Sequence, residues 1–110
     1  MAFTLNKVML IGNLGKDAET KTVNNTSITS FQVATTNSYK KNDDWVNDTT
    51  WHNVVIFNAT DFLKKNLKKG KKFYIEGRIS RREYTDKDKI KRYAVEVIGE
   101  NLIPLDETIK

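Results

Sequence analysis

The segment Thr-Thr-Trp-His-Asn-Val-Val-Ile-Phe-Asn, residues 49–58, is dense in β-branched and aromatic side chains, which favours a central β-strand. Side chains alternate between the two faces of a strand. One face would carry Trp51, Asn53, Val55 and Phe57, and the other His52, Val54 and Ile56. Two large rings that flank an amide suit a surface on which flat rings stack, and they also suit the core of a small barrel. The segment alone leaves both interpretations open.

Strand patterns lie on both sides of this segment. They predict strands at 6–14, extended around a corner by 16–23, and at 28–38, 71–80 and 92–104. In the strand at 71–80, the side chains expected to point inward are Phe73, Ile75, Gly77 and Ile79. Polar turns are predicted at 24–27 and 85–89, and a flexible hairpin loop at 39–48.

One helix is predicted, at 60–69. Asn58 or Thr60 can cap its free N–H groups, and Gly70 ends it. Its narrow apolar stripe, expected over one opening of a barrel, consists of Leu63 and Leu67 with Phe62 beside them. Three strands, a helix and two strands fit an all-β, five-stranded OB-fold barrel with one helix between strands 3 and 4. Residues 1–105 would form this domain, and residues 106–110 a short C-terminal tail.

The length and composition set further bounds. A chain of 110 residues forms one domain with one core. The absence of cysteine excludes a disulfide framework and a thiolate metal site. Neither a signal peptide nor a membrane-spanning segment is present, so we expect a cytoplasmic protein. The single histidine, His52, has no partnered nucleophile and no second metal ligand, so we expect no catalysis, metal or cofactor.

The positive charge is concentrated in one half of the chain. Between Lys64 and Arg92 stand thirteen Lys or Arg and four acidic residues, a net charge of +9 against −4 for the remainder. A positive half on a small domain indicates a polyanionic partner, because neutralising phosphates releases condensed counterions. A solvated lysine-rich surface is the alternative.

The expected ligand path of an OB-fold crosses strands 2 and 3 and the loops of the first and last strand pairs. Aromatic side chains on or beside this path favour stacking on unpaired bases over burial in a core. The candidates for stacking are Trp51, Phe57, Tyr39, Tyr84 and Trp45. The candidates for phosphate contacts are Lys40 and Lys41 in the hairpin loop, Lys72 on the outward face of the strand at 71–80, and Arg81 and Arg82 beyond that strand.

Four segments also resemble the bacterial-type single-stranded DNA-binding protein family. They are LNKVMLIGNLGKD at 5–17, FQVAT at 31–35, TWHNVVIF at 50–57 and LKKGKKFYIEGRI at 67–79. The segments follow one another in the family's order and cover nearly the whole chain, so the combination is far more specific than any one of them.

The resemblance implies roles for individual residues. Trp51 and Phe57 would be stacking residues, and Tyr39 and Tyr84 stand where the family commonly has tryptophan. The basic side chains that it places along the DNA path are Lys7, Lys21, Arg78 and Arg82. Asn53 and Glu83 stand where relatives often have a basic residue, so each would remove a phosphate contact. His52 would lie on the side where subunits pack.

The resemblance further implies a homotetramer, with a dimer left open, and strands at 6–14 and 93–98 as its interface. Family members continue into a disordered linker and an acidic tail that recruits other proteins, whereas this sequence ends at Asp106-Glu107-Thr108-Ile109-Lys110. Either the tail was removed or the natural protein lacks it, so we do not expect recruitment through such a tail.

The leading hypothesis is non-catalytic, largely sequence-independent binding and protection of single-stranded DNA in replication, recombination and repair, at the nucleoid. The alternative binding function is that of an RNA-binding or replication-restart accessory OB-fold protein. A hydrolase that uses Asp86, Asp88 and His52 belongs to a different class, and the lysine-rich surroundings of the two carboxylates argue against it.

Overall fold

The structure is a computed structural model that describes residues 3–105. The predicted tail at 106–110 lies outside this range. The strands are β1 (Val8–Leu14), β2 (Glu19–Val23), β3 (Thr26–Lys41), β4 (Asp44–Phe57), β5 (Lys72–Thr85) and β6 (Lys91–Pro104), and the helix is α1 (Asp61–Asn66). None of the helical residues within 3–105 belongs to a segment long and apolar enough to cross a membrane.

Five of the strands close into a ring. Their order is β1-β5-β6-β4-β3, and β1 returns to β3 through the pairs Asn13 with Ala34 and Leu14 with Val33. The β4–β6 pair is parallel and the others are antiparallel, while β2 lies on the outer edge of β3. The helix lies between the third and fourth strands of the ring. The predicted all-β OB-fold is therefore confirmed, and the predicted extension at 16–23 is the separate strand β2.

The inside of the ring is apolar. Its buried side chains, all less than a tenth exposed, are Leu14, Phe31, Val33, Val54, Ile56, Leu67, Phe73, Ile75 and Val97. All but Leu67 come from strands, and Leu67 enters from the end of α1. The backbone N–H of Ala18 donates to the Leu67 carbonyl at 3.0 Å, which ties this end of the ring to the segment before β2.

The helix is shorter than predicted. Thr60 is its N-cap, since its Oγ1 accepts from the N–H of Leu63 at 3.2 Å. Asn58 does not cap it, because the Asn58 side chain accepts from the N–H of Ser27 on β3. The helix ends at Asn66 rather than Lys69. Leu67 leaves helical geometry with its side chain in the core, and the chain then turns toward β5.

The predicted flexible loop at 39–48 is wrong. Strands β3 and β4 remain paired as far as Lys41 and Asp44, and only two residues form the turn. Those residues, Asn42 and Asp43, have φ angles of 51° and 69°, the left-handed conformations that a tight hairpin turn needs. Polar side chains of moderate β-propensity therefore form a paired ribbon, because the turn chemistry and the register of the preceding barrel strands extend the pairing outward.

The inward alternation predicted for 71–80 holds only for the first part of β5. Phe73 and Ile75 are fully buried, whereas Ile79 is 51% exposed. The register with β6 shifts between Glu76 and Gly77, where Glu100 is the extra residue on β6, so β5 itself keeps its alternation and Gly77 is still buried. Pairing with β1 ends at Gly77, so Ile79 lies beyond the part of β5 that β1 covers. Beyond this bulge β5 and β6 form a second projecting ribbon, whose turn follows Thr85.

Alanine substitution of two phenylalanines tests which aromatic rings belong to the core. Phe73→Ala removes a fully buried ring, and we expect it to lower the free energy of unfolding by roughly 3–5 kcal/mol, a large part of the total for a small domain. Phe62→Ala removes a ring that is 58% exposed on α1, and we expect a change within about 0.5 kcal/mol. Urea denaturation measures both, and equal losses would contradict the assignment.

Candidate nucleic-acid interface

Strand β4 carries two large aromatic rings on its outer face. Trp51 is 52% exposed and Phe57 is 49% exposed, while Val54 and Ile56 between them point into the ring of strands. The alternation predicted for this strand is therefore confirmed. The contribution of these rings to DNA binding stays a prediction.

The partners of the two rings on the neighbouring strand β3 are uncharged. On β3, Ala34 pairs with Trp51 and Ile28 pairs with Phe57. Between them, Gln32 Nε2 donates to Asn53 Oδ1 at 2.9 Å, so the amide that flanks the rings is held across the strands. The β4 side chains from Trp51 to Phe57 on this face are uncharged, and charged side chains, among them Glu19 and Glu96, lie beside Asn53 and Val55.

A groove lies beside Phe57. It has a volume of about 400 Å³ and lies between the β2–β4 surface and the β5–β6 ribbon. Its polar lining comes from Lys21 on β2, and from Arg82 on β5 and Glu96 on β6. Its apolar lining is Val23, Ile28, Val55 and Phe57. An apolar floor between two cations can hold a planar base while a phosphate lies at its rim.

Arg82 is engaged in an ion pair inside this groove. Its Nη2 donates to Glu96 Oε2 at 3.1 Å, and the Glu96 carboxylate holds the pKa of Arg82 above its ordinary value. The guanidinium also lies 5.6 Å from the centre of the Tyr84 ring, on the same face of the ribbon. The structure therefore places Arg82 in the groove and beside Tyr84, and it adds Glu96, which the sequence analysis did not identify.

The β3–β4 ribbon separates two of the predicted stacking residues. Trp45 is 71% exposed and lies opposite Lys40 in the strand register. It is an even number of residues from Trp51, so the two tryptophans lie on the same face of β4. Tyr39 pairs with Val46, and by the same count it belongs to the opposite face. A sequence analysis that treated 39–48 as a loop had no register from which to make this distinction.

The remaining basic candidates are dispersed over the molecule. Arg81 lies on the opposite face of its ribbon from Arg82, with its guanidinium 3.8 Å from the centre of the Tyr93 ring. Arg78 Nη1 donates to Glu100 Oε2 at 3.1 Å. In the strand register, Lys41 lies opposite Asp44 beside the turn of the β3–β4 ribbon, and Lys72 lies opposite Asn13 of β1.

Lys7 lies at the start of β1, away from the groove. Its Nζ is 2.6 Å from Glu76 Oε2, and this hydrogen-bonded pair raises the pKa of Lys7 and lowers that of Glu76. Three of the eight predicted phosphate contacts, Lys7, Arg78 and Arg82, are therefore engaged by carboxylates in the protein alone. A phosphate has to compete with those carboxylates for the cation.

The side chains considered for catalysis have structural partners. His52 Nε2 lies 2.8 Å from Thr35 Oγ1, in a half-buried position. Asp86 Oδ1 accepts from the N–H groups of Asp88 and Ile90 at 2.9 and 3.0 Å, and its Oδ2 accepts from Arg92 Nε at 2.9 Å. Residues 3–105 contain no cluster of three side chains suited to hold a metal ion.

Comparison with known proteins connects this geometry to a family. Residues 5–105 match the single-strand binding protein family. The single-stranded DNA-binding protein of Neisseria meningitidis serogroup A is 37% identical over 102 residues, which are 90% of this chain and 59% of that protein. Single-stranded DNA-binding protein 1 of Xylella fastidiosa is 37% identical over 103 residues, which are 90% of this chain and 76% of that protein.

Solved structures agree with the sequence comparison. A Plasmodium falciparum SSB in complex with ssDNA superposes with a TM-score of 0.85 at 28% identity, covering 96% of this chain and 99% of that one. A deletion mutant of the single-stranded DNA binding protein from Thermus aquaticus superposes with a TM-score of 0.80 at 22% identity, covering 94% of this chain and 52% of that one. This chain spans about three fifths of the Neisseria protein's length.

The contacts of Asp86 generate a pH-dependent prediction. Hydrogen bonds from Arg92, Ile90 and Asp88 lower the pKa of Asp86 below its ordinary value of 3.8. A carboxylate with a lowered folded pKa stabilises the fold above its unfolded pKa and loses that contribution as the pH falls through the folded pKa. We expect the NMR shift of the Ile90 amide proton to stay constant from pH 7 to about pH 5 and to move only below about pH 4.

Asp86→Asn is the control for this titration, because it removes the ionisable group at nearly constant size. We expect the low-pH movement of the Ile90 amide signal to disappear in this variant. A titration that persists in Asp86→Asn, or one centred above the ordinary value for aspartate, would contradict the assignment.

Proposed function

The chain belongs to the single-strand binding protein family, and from that premise we propose that it binds single-stranded DNA without catalysing a reaction and protects it in replication, recombination and repair at the nucleoid. The observation that carries the proposal is the outer face of β4, where Trp51 and Phe57 are half exposed beside a groove that contains Lys21 and Arg82. A flat apolar surface next to cations matches the two chemical parts of an unpaired strand, its bases and its phosphates.

Stacking accounts for the selectivity for single strands. Every base has a π-face, so rings such as Trp51 and Phe57 can accept any base, and binding depends little on sequence. Bases in a duplex are stacked on one another and do not present those faces. The register places Trp45 and Lys40 further along the same face, so we propose that the bound strand continues from the groove past Trp51 toward the tip of the β3–β4 ribbon.

Phosphate binding at the groove involves an exchange of partners. In the free protein Arg82 is paired with Glu96, whose side chain is only 19% exposed. A phosphate that contacts Arg82 weakens this pair, so the gain from the new contact is reduced by the loss of the old one. We therefore propose that Lys21, which makes no ion pair within residues 3–105, supplies the stronger net attraction in the groove.

Loss of either ring tests the proposal. We expect Trp51→Ala and Phe57→Ala each to weaken binding of an unstructured oligothymidine by roughly 1–3 kcal/mol, the range found by alanine substitution in OB-fold proteins of this class. Phe62→Ala, the matched change of an exposed ring on α1, should leave the affinity unchanged. Fluorescence anisotropy of a labelled oligonucleotide measures the affinity, and circular dichroism checks that each variant is folded.

The same titration includes duplex DNA and RNA of the same sequence. We expect the affinity for single-stranded DNA to fall as salt rises, and the affinity for duplex to be far lower at every salt concentration. Equal affinity for duplex would contradict the proposal. A preference for RNA over DNA would favour the alternative of an RNA-binding OB-fold protein.

We also propose that the chain assembles into a homo-oligomer, with a homotetramer as the expected form. Strand β1 pairs with β3 only at its last two residues, so the edge before them is open along most of its length. Its outward side chains Met9 and Ile11 are 64% and 57% exposed, and Ile103 on β6 adds to the same sheet. Exposed apolar side chains beside an open strand edge favour association with another chain.

Light scattering measures the assembly. The single chain has a mass of 12.7 kDa, and we expect a solution mass of a tetramer or a dimer of it. Met9→Lys and Ile11→Lys should shift the protein toward the single chain, because two opposed copies of the strand would then bring like charges together. A monomeric wild-type protein at micromolar concentration would contradict this part of the proposal.

A further inference from the structure

Gly15, directly after β1, lies against the indole of Trp51. A Cβ built onto Gly15 would be 2.6 Å from Cζ3 and 2.7 Å from Cη2 of that ring, with Cε3 next at 3.7 Å. Non-bonded carbon atoms make their best contact at about 3.5–4.0 Å, so any side chain at position 15 would displace the ring. The three atoms closest to the added Cβ all belong to Trp51.

The backbone does not explain the glycine. Among the described glycines, Gly70 is the one with a positive φ, so an alanine at position 15 would adopt the backbone found there without strain. The N–H of Gly15 donates to the Gln32 carbonyl on β3 at 3.2 Å, which fixes its place beside the stacking surface. What the missing side chain provides is room for the ring.

Other glycines make space for the barrel itself. A Cβ at Gly12 would meet the Ala34 carbonyl of β3, and one at Gly99 would meet the core side chains Ile56, Leu102 and Val54. Substitutions there would disturb the ring of strands. A substitution at Gly15 meets only a side chain that is half exposed and that the barrel does not need for its core.

We propose that Gly15 is a positioning residue for Trp51: it forms a flat seat that holds the indole in one orientation with half of its surface open to a base. This inference rests on the proposed binding of single-stranded DNA. A ring held in its binding orientation loses less side-chain freedom when the base arrives, so more of the stacking energy contributes to affinity. Gly15 itself need not touch the DNA.

The test is a double-mutant cycle that combines Gly15→Ala with Trp51→Ala. We expect Gly15→Ala alone to move the indole N–H signal of Trp51 in the free protein and to weaken oligothymidine binding by about fivefold or more, bounded by the loss in Trp51→Ala. In the Trp51→Ala background we expect Gly15→Ala to cause no further loss. Phe62→Ala, which removes an exposed ring on α1, is the control, with affinity unchanged.

A third background keeps the test decisive if Gly15→Ala is poorly folded. Phenylalanine lacks the six-membered ring of the indole that lies against Gly15. We therefore expect the double variant of Gly15→Ala and Trp51→Phe to fold and bind nearly as well as Trp51→Phe alone. An equal loss in all backgrounds would overturn the inference, because Gly15 would then act without the ring. An unmoved indole signal and unchanged affinity in Gly15→Ala would also overturn it.

Failure of the proposed function would give a different result from failure of the inference about Gly15. If wild-type protein and Trp51→Ala bind oligothymidine equally weakly, the proposed function fails and the inference fails with it. If Trp51→Ala weakens binding but Gly15→Ala neither moves the indole nor changes the affinity, the inference fails alone.

Discussion

Closure of the ring depends on a two-residue contact between β1 and β3, where Asn13 and Leu14 reach Ala34 and Val33. The approach is so close that a Cβ at Gly12 would overlap the Ala34 carbonyl. Closure gives Val33, Val54, Phe73 and Ile75 a fully buried environment, and burial of apolar surface is the main driving force for folding. Once β4 is anchored by its inward side chains, its alternation fixes Trp51 and Phe57 on the outside. The same contact brings the end of β1, and with it Gly15, beside Trp51.

Charge on this protein is more locally balanced than its net value suggests. The pairs Lys7 with Glu76, Arg78 with Glu100 and Arg82 with Glu96 neutralise basic side chains that a count of the sequence treats as available. Exposed pairs of this kind contribute about 0–1 kcal/mol to stability, so the barrel does not depend on them. They matter more for a polyanionic ligand, which has to compete for each paired cation. The exposed rings of Trp51 and Phe57 form no ion pairs and can stack on a base without such an exchange.

The sequence predicted the order of elements, the OB-fold, the faces of β4 and a helix cap at Asn58 or Thr60, because each rests on local alternation or a local hydrogen bond, and the structure uses Thr60. The sequence patterns failed where distant contacts decide. The helix stops at Asn66 since Leu67 is drawn into the core, and the segment at 39–48 is paired since the barrel fixes its register. Ile79 is exposed because it lies past Gly77, the last residue of β5 that pairs with β1. The register between β1 and β5 sets where that cover ends, which a single strand pattern cannot show.

The features of the candidate site also divide into those that the local sequence predicts and those that distant contacts decide. The sequence by itself determined that Trp51 and Phe57 share a face and that the chain resembles a single-stranded DNA-binding family, because strand periodicity and motif order are written in consecutive residues. Only the tertiary structure decided that Arg82 is paired with Glu96, that Tyr39 and Arg81 lie on the opposite faces of their ribbons, and that Trp51 is in contact with Gly15. These facts join residues far apart in the chain, and the packing that closes the ring sets their distances.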